Sequence, residues 1–139
     1  MLADILKLQM VIGSIGEEIV YKSEINRLRD KGVKFPNNYI IHESLENISS
    51  GYDIHTNYGD EERYIEVKST TRISSNIFLT ENEINVLSKL GNKAYLYIVQ
   101  VTNKEKKEGE IIQIIQNPIK VIKEKGELIP IAYKIKIPR

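Results

Sequence analysis

Residues 63–70, Arg-Tyr-Ile-Glu-Val-Lys-Ser-Thr, carry the pattern that most restricts how this chain can fold. The apolar, β-branched Ile65 and Val67 alternate with the charged Glu66 and Lys68. Because successive side chains of a strand point to opposite faces of a sheet, the two charges share one face and the two apolar residues share the other. The segment therefore predicts a half-buried strand that lines a cleft.

The other elements predict one mixed α/β domain that spans residues 1–139. A first helix is expected over residues 14–31, with a capping box of Ser14 and Glu17 at its N-terminus, and a second helix after the capping box of Thr80 and Glu83. Predicted strands are Tyr39–His42, Tyr52–Tyr58, Arg63–Thr70, Ala94–Val101 at the centre of the sheet, Glu110–Ile115 and an edge strand at Ile131–Ile137, with a loop at 47–51. The order is helix, three strands, helix and two strands.

The composition limits the chemistry. The 139 residues include no cysteine, which excludes disulfides, zinc–thiolate sites and a thiol nucleophile. No apolar run approaches the roughly 18 residues of a membrane span, and the chain starts without a secretory signal, so we expect a cytoplasmic protein that does not contact membranes. Residues 1–88 carry 9 basic and 14 acidic side chains, and residues 89–139 carry 11 basic and 5 acidic ones. The basic half suits a phosphate backbone, but solvated lysines explain it equally well.

Two carboxylates can meet on the charged face of this strand. Asp53 follows the Gly51 turn at the start of the preceding strand, so it can lie across from Glu66. Two such carboxylates repel each other unless a cation lies between them, and Mg²⁺ is the hard, oxygen-seeking candidate. Lys68 would orient the attacking water or stabilise the charge of the transition state. Glu17 could hold a second metal ion or a metal-bound water.

Each of these residues also has a structural explanation. A Glu-x-Lys triplet on a strand is common, a capping box already accounts for Glu17, and Asp53 could accept hydrogen bonds in its turn. Glu18 would replace Glu17 if the helix were shifted by one residue. The combination is more specific than its parts: Gly-x-x-x-Glu opens a helix, Gly-x-Asp opens a strand, and Glu-x-Lys follows thirteen residues after the aspartate.

This arrangement resembles the PD-(D/E)XK nuclease superfamily, which includes restriction endonucleases, Holliday junction resolvases and Mrr-like nucleases. More closely, it resembles the family named after the C-terminal domain of the plant protein NO VEIN, which is found alone or fused to bacterial helicases and defence ATPases. The matching stretches are Gly16-Glu17, Gly51–Ile54, Ile65–Thr70, Phe78–Thr80 with Glu83, Tyr95–Tyr97 and Asn117-Pro118. Tyr52 stands where the superfamily often has proline, a variation of little chemical consequence.

The resemblance implies a restriction-endonuclease-like core of helix, three strands, helix and strand, with a central mixed sheet flanked by helices. It also implies cleavage that depends on Mg²⁺, with Mn²⁺ as a substitute. By this resemblance the metal ligands are Asp53, Glu66, the Val67 carbonyl and Glu17 as the helix carboxylate, and Lys68 is the catalytic lysine.

Four further residues are candidates for contact with nucleic acid. Ser69 and Thr70 follow the Glu-x-Lys triplet and are placed to bond a phosphate, although β-forming residues that finish a strand are an equally good explanation. His55 shares the face of Asp53, where a polar residue solvated at the rim of a cleft is the alternative. Tyr64 shares the face of Glu66.

The sequence therefore predicts an endonuclease that hydrolyses phosphodiester bonds in DNA, with a role in restriction or anti-phage defence. The alternative is a nuclease-fold module that binds DNA or a partner protein without cutting, and cleavage of RNA is also open. We expect a homodimer, because cutting both strands of a duplex needs two active sites. The resemblance adds a helicase or ATPase as a partner.

Overall fold

The computed structural model describes residues 1–43, 50–73, 76–131 and 135–138. Its α-helices and strands follow the chain in the predicted order, with one more helix at the end. They are α1 (Leu2–Asp30), β1 (Ile40–His42), β2 (Ile54–Thr56), β3 (Arg63–Thr70), α2 (Glu81–Leu90), β4 (Ala94–Asn103), β5 (Glu108–Gln116) and α3 (Pro118–Lys125). The prediction of a mixed α/β fold is confirmed at this level.

The five strands form one mixed sheet in the order β1-β2-β3-β4-β5. β1, β2 and β3 are antiparallel neighbours, β3 and β4 are parallel, and β5 returns antiparallel to β4. A parallel pair cannot be joined by a tight turn, and α2 lies in the crossover between β3 and β4. The central strand is therefore β3, and β4, which was predicted to be central, lies beside it.

α1 begins at Leu2 and not near Ser14. The predicted capping box of Ser14 and Glu17 is wrong, because both residues lie inside the helix. The first turns are rich in leucine, isoleucine and methionine and contain no proline, so nothing interrupts the helical hydrogen bonds before residue 14. Glu17 is consequently held by the middle of a long helix, where the helix dipole contributes little to its environment.

The alternation in β3 divides the molecule into two layers. Ile65 and Val67 face α1 and belong to the main core, which also contains Ile15, Val20, Leu28, Val33, Ile40, Ile54, Tyr97, Val99 and Val101. Glu66 and Lys68 lie on the opposite face. There α2 and α3 form a second, smaller core of Leu87, Ala94 and Ile119. The charged face predicted from the sequence is therefore the face that α2 covers.

The capping box predicted at the start of α2 is confirmed. Thr80 Oγ1 accepts a hydrogen bond from the Glu83 N–H at 3.1 Å, and Glu83 Oε1 accepts one from the Thr80 N–H at 2.8 Å. Gly91 ends the helix with a φ of 57°, a conformation that glycine adopts without strain. Both ends of α2 are thus set by local sequence.

Some predicted segments are only partly described. Residues 47–49 of the predicted loop and residues 132–134 of the predicted tail strand lie outside the described ranges. In the tail, residues 131 and 135–137 form no strand, so the described part of this prediction is wrong. Exposed apolar residues without a pairing strand do not by themselves make a sheet edge. None of the described helices is both long and apolar enough to cross a bilayer.

Candidate active site

β2 and β3 bring Asp53 and Glu66 together. The Asp53 N–H donates to the Ile65 carbonyl at 2.8 Å, and Asp53 Oδ2 accepts a hydrogen bond from the Val67 N–H at 2.8 Å. These two bonds fix Asp53 against the strand that carries Glu66. The carboxyl groups of Asp53 and Glu66 also hydrogen-bond to each other. The contact predicted from the spacing of the two residues is therefore present in the fold.

Burial controls the charge of this pair. Glu66 is only 2 % exposed, and burial, followed by the charge of Asp53, raises the pKa of Glu66 to about 10. Burial and then the charge of Glu17 raise the pKa of Asp53 to about 6, against the opposing hydrogen bond from the Val67 N–H. At neutral pH the pair therefore holds one proton, on Glu66, because two adjacent carboxylates with little access to water are not both ionised without a cation.

Lys68 brings a positive charge to the pair. Its Nζ lies 3.4 Å from Glu66 Oε1, and 3.1 and 3.4 Å from the two carboxylate oxygens of Glu83. Burial alone lowers the pKa of Lys68, but the charges of Glu66 and Glu83 outweigh it and raise the pKa overall. Lys68 is therefore charged at neutral pH and held between two carboxyl groups.

Glu83 is the site residue that the sequence reasoning missed. Burial raises the pKa of Glu83, but its hydrogen bonds with Glu66, the Thr80 N–H and Lys68 outweigh burial and lower the pKa overall. The available signal was the capping box itself, because it places a carboxylate at the start of the helix that follows β3. The capping box did not lead to a functional prediction for Glu83, because helix capping already explains a glutamate at this position.

Glu17 approaches the pair from α1. Its Oε1 lies 2.8 Å from the Nε2 of His42, for which the sequence indicated no role, and its charge helps to raise the pKa of Asp53. Glu17 is therefore close to the site, although it is not at a helix N-terminus. The alternative residue, Glu18, lies on the exposed side of α1 and pairs with Lys22 at 3.8 Å.

His55 is buried, and it is not solvated at the rim of a cleft. It is 9 % exposed, its ring stacks on Tyr64 with 4.0 Å between centroids, and its Nε2 lies 3.0 Å from Glu62 Oε2. The Tyr52 ring meets both rings edge-on. These rings pack against one another, and His55 is engaged with Glu62 rather than with Asp53. Contact of His55 and Tyr64 with nucleic acid stays a prediction.

The hydroxyl groups of Ser69 and Thr70 are differently placed. Ser69 Oγ is closed off from solvent below α1 and has no hydrogen-bond partner among the described residues. A side chain at position 16 would collide with it, so Gly16 permits this close approach of helix and strand. Thr70 Oγ1 bonds the backbone of Arg72, at 2.7 Å to the carbonyl and 3.1 Å to the N–H. Phosphate binding by either residue stays a prediction. Of the two hydroxyl groups, only that of Thr70 is exposed to solvent.

The donor atoms fit a hard divalent cation. Mg²⁺ is usually held by one or two carboxylates, with water and substrate phosphate in the remaining positions. Asp53 and Glu66 supply two such carboxylates, and a cation between them would favour the ionised form of both groups against the burial that raises their pKa values. No group of three or more Asp, Glu, His or Cys side chains forms a metal cluster within the described ranges. The residues therefore suit a two-carboxylate site that water or substrate completes.

Comparison with known proteins gives one match. The family model described as "Protein NO VEIN, C-terminal" matches residues 16–114, which is more than half of the chain. The matched region runs from Gly16, beneath which Ser69 packs, to β5. It includes Asp53, Glu66 and Lys68. No curated protein and no solved structure matches the chain.

Proposed function

We propose, from the premise that this chain belongs to the family of the NO VEIN C-terminal domain, that it is a metal-dependent nuclease with a restriction-endonuclease-like, PD-(D/E)XK fold. Family membership is compatible with a nuclease-like or DNA-related module. The observation that carries the proposal is the contact of the buried Glu66 carboxyl group with the half-buried Asp53 carboxyl group, beside the Lys68 ammonium. Perturbed titratable groups that converge in this way mark functional sites more often than structural ones.

Asp53 and Glu66 would hold Mg²⁺ together with the Val67 carbonyl, and Mn²⁺ could replace it. When bound, such an ion lowers the pKa of a water molecule and neutralises charge on the phosphate. The hydrogen bond from the Val67 N–H to Asp53 Oδ2 would keep that carboxylate oriented when it coordinates the ion. Glu66 must release its proton for the site to fill, so binding of the ion is coupled to proton release.

Lys68 supplies the positive charge that the chain itself contributes to the reaction. Its ammonium would donate a hydrogen bond to the attacking water or to a phosphate oxygen that gains charge in the transition state. Glu17, 2.8 Å from His42, would hold a second metal ion or orient a water molecule at the edge of the site. Each of these roles requires the groups to stay in place while the substrate reacts.

DNA is the substrate that we propose, in restriction or anti-phage defence within the cytoplasm. We also propose that the protein acts as a homodimer, with a helicase or ATPase as a partner. The support for these statements is the family resemblance and the need for two active sites in double-strand cleavage. The alternative is a catalytically silent module that binds DNA or a partner. A protein that only binds DNA gains nothing from neighbouring carboxylates that would repel the phosphate backbone, and burying them costs free energy. This favours the nuclease over the silent module.

Cleavage assays on matched variants test the proposal. The purified chain is incubated with plasmid, Holliday junction, single-stranded DNA and RNA, with Mg²⁺, with Mn²⁺ and with EDTA. We expect metal-dependent cutting of DNA, and a loss of at least about 100-fold in rate for Asp53→Ala. Asp60→Ala is the control, because Asp60 undergoes the same change at an exposed position in the turn before β3 and should cut like the wild type.

Three results would contradict all or part of the proposal. Equal cleavage by Asp53→Ala and wild type would discard this site. Binding of DNA without cleavage on any substrate would favour the silent module. Faster cleavage of RNA than of the matched DNA would reassign the substrate, because only RNA carries the 2′-hydroxyl.

A further inference from the structure

We propose that Glu83 is the positioning residue for Lys68: from the first turn of α2 it holds the Lys68 ammonium in its working place while Glu66 is engaged with the metal ion. The inference rests on the proposed function. It adds a residue that the family resemblance matches without giving it a role, and it links α2 to the chemistry on β3.

Lys68 has two carboxyl partners, and the proposed reaction removes one of them. Lys68 Nζ lies 3.4 Å from Glu66 Oε1 and 3.1 Å from Glu83 Oε1. Glu66 would coordinate the divalent ion, and the Lys68 ammonium would then lose this partner and be repelled by the ion's charge. Glu83 is then the remaining partner in this set. A lysine side chain without a partner moves freely about four rotatable bonds and loses the fixed position that catalysis needs.

Glu83 is itself fixed independently of Lys68. It is the third residue of α2, and its Oε1 accepts a hydrogen bond from the Thr80 N–H at 2.8 Å. The side chain is 17 % exposed. Its place is therefore defined by the start of the helix, and the same carboxylate oxygen contacts both the cap and the lysine. The first turn of α2 therefore determines where the carboxylate that holds the Lys68 ammonium lies.

A capping role alone would also explain Glu83, and two substitutions separate the two roles. Glu83→Gln removes the charge that holds Lys68 but keeps an oxygen that accepts from the Thr80 N–H. Thr80→Ala removes the hydroxyl that caps the helix but keeps the backbone N–H that Glu83 accepts from. Glu81→Gln makes the same chemical change as Glu83→Gln on an exposed residue of the same turn, and it serves as the matched control.

The first measurement is steady-state cleavage with Mg²⁺. We expect Glu83→Gln to lower kcat about 10-fold or more, in the range seen for residues that orient a group at a metal site, with KM changed less than 2-fold. Thr80→Ala should lower the melting temperature and keep kcat within 2-fold of wild type. Glu81→Gln should change neither. A cap-only role predicts the reverse: Thr80→Ala would lower kcat at least as much as Glu83→Gln.

The second measurement does not depend on cleavage. The side-chain NH₃⁺ signal of Lys68 is observed by ¹⁵N NMR and assigned with Lys68→Arg, because an ammonium group held by a carboxylate exchanges its protons slowly enough to be seen. We expect the signal to persist in wild type and in Thr80→Ala with and without Mg²⁺, and to disappear in Glu83→Gln with Mg²⁺.

The two measurements separate the inference from the proposed function. If wild type cuts no substrate, the nuclease proposal fails, and the NMR signal still decides the role of Glu83. A Lys68 signal that survives in Glu83→Gln with Mg²⁺ overturns the positioning role. So does an unchanged kcat in that variant.

Discussion

Glu24 and Glu66 are buried equally deeply, at 1 % and 2 % exposure, but their surroundings are opposite. Glu24 lies between α1 and the sheet, where its two oxygens accept four hydrogen bonds. The donors are Arg27 Nε at 2.9 Å, Arg27 Nη2 at 2.8 Å, Thr56 Oγ1 at 2.8 Å and Tyr97 OH at 2.9 Å. Glu66 lies on the α2 face, among Asp53, Glu83 and a single lysine.

If the proposed function holds, this difference separates a structural carboxylate, Glu24, from a functional one, Glu66. The charge of Glu24 is matched by a bidentate arginine, so the cluster is complete and nothing further is needed. The carboxyl groups around Glu66 outnumber the cations, so the cluster lowers its free energy by taking up a proton or a metal ion. The completed cluster of Glu24 links α1 to the sheet, and we propose that the incomplete cluster of Glu66 binds a ligand.

The largest expected effect on stability comes from disrupting the complete cluster, which consists of Glu24, Arg27, Thr56 and Tyr97. Glu24→Ala leaves the Arg27 guanidinium, which is 17 % exposed, with Glu61 as its remaining acidic partner at 2.6 Å. We expect the free energy of unfolding to fall by about 3–5 kcal/mol, because Arg27, Thr56 and Tyr97 lose the acceptor of four hydrogen bonds. Glu66→Gln should cost far less in metal-free protein. Urea unfolding of both variants checks this, and equal losses would remove the distinction between the two clusters.

A somewhat smaller effect is expected from metal binding. Mg²⁺ at 100 times its dissociation constant should stabilise the wild type by about 2.7 kcal/mol, because the ion binds the folded chain. Glu66→Gln should lose this gain, since an amide is a poor ligand for Mg²⁺. Thermal unfolding with Mg²⁺ and with EDTA measures the difference. An undiminished gain in Glu66→Gln would place the ion elsewhere in the molecule.

The third effect is the pH dependence of stability. The pKa of Glu66 rises from an ordinary value of 4.5 to about 10 on folding, so the folded protein holds a proton that the unfolded chain has lost. The stability of metal-free protein should therefore fall as the pH rises through this interval, by up to about 1.4 kcal/mol per pH unit. Asp53 adds to the slope only up to its folded pKa of about 6.

Measurements between pH 6.5 and 9 thus isolate Glu66. Chemical unfolding of wild type and Glu66→Gln with EDTA at each pH provides the test. The variant should show a much flatter profile, because the titrating carboxyl is gone. A wild-type stability that does not change with pH across this range would mean that Glu66 is already ionised in the folded protein.

The smallest effect on stability is expected from the exposed ion pair of Lys31 and Glu61 at the edge of the complete cluster. Lys31 lies 3.7 Å from Glu61 and is 58 % exposed, so solvent screens this pair. Lys31→Ala should lower the free energy of unfolding by no more than about 0.5 kcal/mol. A loss comparable to that of Glu24→Ala, measured by urea unfolding, would show that the cluster depends on its surface charges and not on its buried bonds.

The parts of the fold that depend on short segments were predictable. The period of two in β3 predicted its two faces, and Thr80, Glu83 and Gly91 predicted both ends of α2. The start of α1 was not predictable from Ser14 and Glu17, because a capping motif has no effect where the helix simply continues through it. The side chain of His55 was likewise misplaced, since its burial depends on Tyr64 and Glu62 from the next strand and turn.

The sequence by itself determined which residues share a face of the sheet, because that follows from the backbone geometry of a strand. It also determined that Asp53 and Glu66 could meet, since the strands that carry them are neighbours in a hairpin. Only the tertiary structure decided how these groups are charged. The pKa of Glu66 is raised by burial, by the charge of Asp53 and by Glu83 from α2. Two partners of Glu24 come from β2 and β4. Desolvation and long-range contacts exist only once helices and sheet are packed together.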